Sequence, residues 1–120
     1  MSVKVIKRTQ SHILELFEQI LTLGIQSPQG KAHLRKVEQA WNDWLDQEDE
    51  RRISILDASG EPDMDLIDEL RELDRRRANA TVHTLFFLDR CQQGDEAALS
   101  QTEFSPFLEV IKGTFQENAI

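Results

Sequence analysis

This chain is short of the residues that cross-link proteins and short of those that break helices. It has one cysteine, Cys91, and no tyrosine. A single thiol cannot close an intramolecular disulfide, which points to a reducing, cytoplasmic setting. Three prolines and five glycines in 120 residues leave long stretches without a breaker, so a few long elements are expected. The longest strongly apolar run is Leu85-Phe86-Phe87-Leu88, too short for a membrane span or a signal-peptide core. Basic side chains are the minority, with 14 Lys and Arg against 22 Asp and Glu and a net charge of −8. Proteins that coat phosphates show the opposite excess, so neither direct nucleic-acid binding nor a membrane partner is expected.

What is present describes an ordinary globular composition, 39% apolar and 30% charged, outside the disordered range. The length suits a single domain over residues 1–120. Helical periodicity dominates. Ile13, Leu16, Phe17, Ile20 and Leu21 form an i, i+3, i+4, i+7, i+8 stripe that predicts a helix over 11–24. Ser27-Pro28 and Ser105-Pro106 each offer a capping hydroxyl followed by proline at the first helical position, predicting helices over 28–57 and 106–117. The turn signal Ala58-Ser59-Gly60-Glu61-Pro62 separates the second helix from a third over 63–93. Residues 1–8 alternate weakly and read as a loosely held arm. The predicted fold is all-α, a small helical bundle built around a long antiparallel hairpin whose first arm is roughly 43 Å long.

The second helix carries a charged interruption, 46–52, with no Gly or Pro to break it. Folding the chain back at Gly60 sets position 46 opposite 74 and 49 opposite 71. Acidic residues then lie beside Arg71, Arg75, Arg76 and Arg77. A matched charged layer would fix the register of the arms. The alternative is that these are the outer faces of two helices, with local pairs such as Glu48–Arg52 and Glu72–Arg76.

Chemistry-bearing motifs are sparse. His12, His33 and His83 fall on three different predicted helices with no ligand-type spacing, and Cys91 lacks a cysteine partner. There is no Gly-x-Ser-x-Gly and no glycine-rich phosphate loop. No catalytic, cofactor-binding or metal-binding residue is therefore assigned, and no cofactor is expected. The enzymatic alternative rests on carboxylates three apart, Asp46 with Asp49, Asp65 with Asp68 and Glu69 with Glu72, which could share Mg²⁺. In these pairs the chain resembles the all-helical nucleoside-triphosphate pyrophosphohydrolases, although no Glu-Glu-x-x-Glu occurs and three arginines follow.

Apolar residues exceed what one face needs. Trp41 and Trp44 lie on the stripe of the second helix, as core residues or, if exposed, as anchors for a partner. Leu85 to Leu88 cover more than half a helix circumference, a pattern buried on both sides or shared with a second molecule. The acidic tip at 57–65 is similar in outline to the coiled-coil fingers of secondary-channel regulators of RNA polymerase. The run Trp44-Leu45-x-x-Glu48-x-x-Arg51-Arg52-Ile53 resembles small export chaperones of the flagellar type III system. The leading expectation is a non-catalytic interaction protein of adaptor, inhibitor, immunity or secretion-chaperone type, binding a basic protein or a second copy of itself. The candidate contact residues are Trp41, Trp44, Asp46, Asp49, Glu50, Glu61, Asp63, Asp65, Phe86 and Phe87. A further alternative is an inhibitor whose acidic face imitates nucleic acid.

Overall fold

The computed structural model describes residues 3–24, 26–60 and 64–117. They form four α-helices, α1 (Val3–Leu23), α2 (Pro28–Ser59), α3 (Met64–Gln92) and α4 (Gln101–Glu117), with a 3₁₀ turn at Glu96–Leu99 before the last. No strand occurs among the described residues. The architecture is the expected all-α bundle, with α1 packed tightly along α2.

The turn between α1 and α2 forms as its residues dictate. Gly24 takes φ +82°, a conformation that disfavours a Cβ, and donates its N–H to the Ile20 carbonyl to close α1. The Ser27 hydroxyl donates to the Gly24 carbonyl at 2.9 Å and accepts the Gly30 N–H at 2.9 Å. That one hydroxyl both caps α2 and ties it to the end of α1. Gly30 is required by proximity, since a Cβ there would lie 1.9 Å from the Gly24 carbonyl oxygen.

Two helix starts differ from expectation, for the same reason. The helix predicted from residue 11 begins at Val3, so the described part of the predicted arm is helix. Ile6 extends the Ile13–Ile20 row by two more turns and is 1% exposed, and Gln10 donates to the Phe115 carbonyl. The last helix begins at Gln101 and takes Pro106 into its interior, and Ser105 is not its cap. The extra turn buries Phe104, and Arg90 of α3 pairs with Glu103 at 2.5 Å. Burial of one large side chain in each case outweighs a missing sequence signal.

The core is aromatic at two heights. Near the α1–α2 turn, Phe17, Phe87, Phe104 and Phe107 cluster, with Phe87 and Phe107 stacked at 4.4 Å. Further along, Trp41, Trp44 and Phe115 pack with ring centroids 4.9–5.8 Å apart. The Trp41 indole donates to the Thr81 hydroxyl at 3.0 Å.

The helices do not share one length. Counting along antiparallel helices from the Gln19–His33 contact brings Lys4 level with Glu48. From the Arg90–Glu103 pair, the end of α4 comes level with Arg76. Arg77 in turn lies against Glu48. Among the described residues all four helices therefore run together up to one height, and beyond it α2 and α3 continue as a two-helix hairpin. The extents, 51 × 23 × 19 Å, and a radius of gyration of 15.8 Å reflect this projection, since a compact chain of this length has a radius of about 14 Å.

Candidate functional site

A charged layer lies at the height where α1 and α4 stop. Arg77 of α3 reaches Asp74 at 2.5 Å, Glu48 at 3.8 Å and Asp49 at 3.8 Å, and Arg52 of α2 bonds Asp74 at 2.5 Å. The side chains of Arg77 and Glu48 are only 6% and 5% exposed. The partners differ from those expected. Position 74 faces 52 and 77 faces 48 and 49, a fold-back centred about three residues beyond Gly60 because α2 runs on to Ser59. Both readings of the arginines are realised. Arg77 crosses between the arms, whereas Arg75 and Arg76 bond Glu72 on their own helix.

The layer is paired but incompletely hydrogen-bonded. Trp44 Nε1, Gln47 Oε1, Glu48 Oε1 and Arg77 Nε are buried with no hydrogen-bond partner among the described residues. Each such atom costs about 1–3 kcal/mol. Burial pushes the Glu48 carboxyl above its ordinary range, and Arg77 pulls it back only in part. A layer of this kind specifies which heights can meet more than it stabilises the fold. Glu72 is the opposite case. The Arg75 guanidinium, bonded to it at the surface, holds its carboxyl down at about 2.

The predicted contact residues divide sharply. Trp41 at 1%, Trp44 at 0% and Phe87 at 5% exposed are core residues and offer nothing to a partner. Asp46, Asp49, Glu50 and Asp65 are exposed, with Asp49 turned towards Arg77. Glu61 and Asp63 lie outside the described residues.

Phe86 is 64% exposed, and it is not alone. Val82 at 66% and Leu85 at 49% share its face of α3, one helical turn away or less. The opposite face of the same segment, with Thr84, Phe87, Leu88 and Cys91, is buried. Val82 and Leu85 were not among the predicted contact residues. The signal was the apolar run itself, which fills both faces of a helix that needs only one for its own core. Asp89, also exposed, continues the ridge by a turn.

The remaining candidates for chemistry are dispersed. No group of three or more His, Cys, Asp or Glu that could hold a metal occurs among the described residues. Of the carboxylate pairs, Asp49 and Glu72 are engaged by arginines. Asp46 lies on the four-helix side of the charged layer, whereas Asp65 and Asp68 lie near the start of α3, so the pairs do not converge. Cys91 is buried, which pushes its thiol up to about 11 and leaves it a small apolar filler. No helix among the described residues is long and apolar enough to cross a membrane.

No family model, curated protein or solved structure matches the chain.

Proposed function

We propose that the protein is a non-catalytic, cytoplasmic interaction module that docks a protein partner along the outer ridge of α3. One observation carries this reading: Val82, Leu85 and Phe86 are three large apolar side chains, 49–66% exposed and adjacent on one helix face. Single exposed apolar residues are ordinary, whereas a contiguous group is the usual mark of a contact surface. A helical ridge with anchors at i, i+3 and i+4 suits an apolar groove on the partner. The charge of −8 and Asp89 at the end of the ridge favour a groove with a basic rim. Adaptor, inhibitor and secretion-chaperone roles all use such a surface.

The test places a photo-crosslinking amino acid at position 86 in one variant and at Glu18, on the exposed face of α1, in another. Position 86 should cross-link one protein in the native cell, less at higher salt, and Glu18 should not. With that protein purified, Phe86→Ala should weaken binding by about tenfold or more, the scale of an aromatic hot spot. The same products from both positions, or an unchanged affinity for Phe86→Ala, would contradict the reading.

A further inference from the structure

Glu48 and Arg77 face each other across the arms without a direct hydrogen bond. Their closest approach, Arg77 Nη1 to Glu48 Oε2, is 3.8 Å, longer than a hydrogen bond. Arg77 Nη2, by contrast, donates to Asp74 at 2.5 Å. Each member of the wider pair also keeps one buried atom with no partner among the described residues, Oε1 on Glu48 and Nε on Arg77. The first accepts and the second donates, and both side chains are more than nine-tenths buried. A buried polar contact wider than about 3.5 Å is where a bridging water belongs.

The space for it is present. A cavity of about 10 Å³ lies at this pair, lined by Glu48, Arg51, Arg52 and Arg77, with Ile55, Leu70 and Leu73 as its apolar wall. One water needs about 10–15 Å³ and two to four polar partners, so volume and lining both suit it. Other small occupants suit it poorly. A cation would stand among three arginines. A halide would meet the Glu48 carboxylate and leave Oε1 without a donor. Water can donate to Glu48 and accept from Arg77 at once. Trp44 and Gln47, which hold the other two unpartnered atoms of the layer, do not line the cavity and are not part of this site.

We propose that the junction between the four-helix body and the hairpin is a binding site for one structural water, which donates to Glu48 Oε1 and accepts from Arg77 Nε. The arms then meet at this height through a hydrogen-bonded bridge as well as through charge, and two of the buried atoms lose their desolvation cost. The site is separate from the α3 ridge, which lies on the exposed face of that helix, so the two are tested independently.

The direct experiment is a crystal structure of the full chain at a resolution that shows ordered water. Density should appear about 2.7–3.2 Å from both Glu48 Oε1 and Arg77 Nε. In solution, oxygen-17 magnetic relaxation dispersion counts the waters a protein holds inside it. The count is compared between the wild type and a Glu48→Leu, Arg77→Met double variant, with circular dichroism confirming unchanged helix content. Replacing both members of a buried pair by apolar residues is commonly tolerated. It leaves only the Arg51 and Arg52 donors at the cavity and no acceptor, so the water loses its hold. The double variant should hold one long-lived water fewer. A crystal in which the cavity is empty, or in which Glu48 Oε1 and Arg77 Nε bond each other or other protein groups, overturns the proposal. So does an equal count in the two proteins. The crystal result decides by itself where the double variant does not fold.

Discussion

Arg77 is the residue on which the junction between body and hairpin turns. It is buried beside three carboxylates, two from α2 and one from its own helix. Replacing it with Met would strip Glu48 of the stronger of its two neighbouring cations, leaving Arg51, and breaking a buried pair costs about 3–5 kcal/mol. Glu48→Gln should behave differently. Burial raises the Glu48 carboxyl despite Arg77, so the ionised form is disfavoured in the fold relative to the unfolded chain. A raised carboxyl contributes stability that is present below the unfolded value of 4.5 and is lost as pH rises through the folded value. The neutral amide should therefore be no less stable than the wild type at neutral pH, and the wild type should gain on it as acid is added. Urea unfolding of both variants across pH checks this. Equal losses for Arg77→Met and Glu48→Gln at neutral pH would contradict it.

At the scale of the helix, the periodic stripes, the Ser27-Pro28 start and the turn signal around Gly60 made four helices and the hairpin legible in the sequence. Each of these acts within a few residues through backbone geometry or capping. The starts of α1 and α4 were not legible, because they depend on contacts with residues far along the chain. Nothing local announces that Ile6 will sit in the core with Phe115 nearby, or that Phe104 will join Phe87. The same holds for the ridge. The run at 85–88 showed a surplus of apolar surface, but which side chains turn outward depends on where α2 and α4 pack. Ile6 gives the test at this scale. As part of a buried helix, Ile6→Ala should cost about 2–5 kcal/mol. A loss near zero would restore the arm reading.

The whole molecule is a four-helix body about 30 Å long, from the length of α1, with a hairpin projecting beyond it. The body buries its aromatic core and leaves the Val82–Phe86 ridge on α3 uncovered, whereas the hairpin beyond the charged layer buries less of its apolar surface, with Ile53 and Met64 exposed. Its charge layer sits where a continuous apolar seam would have let the arms slide. Fold class was readable from composition and periodicity, but this division was not, because it emerges only once helix lengths and register are known. Elements with little apolar burial open most easily, so the two parts should differ in protection. Amide hydrogen exchange of the full chain tests this directly. Slow exchange is expected at 34–47 and 78–91, and exchange at 49–59 and 64–76 should be faster. Uniform protection along α2 and α3 would contradict it.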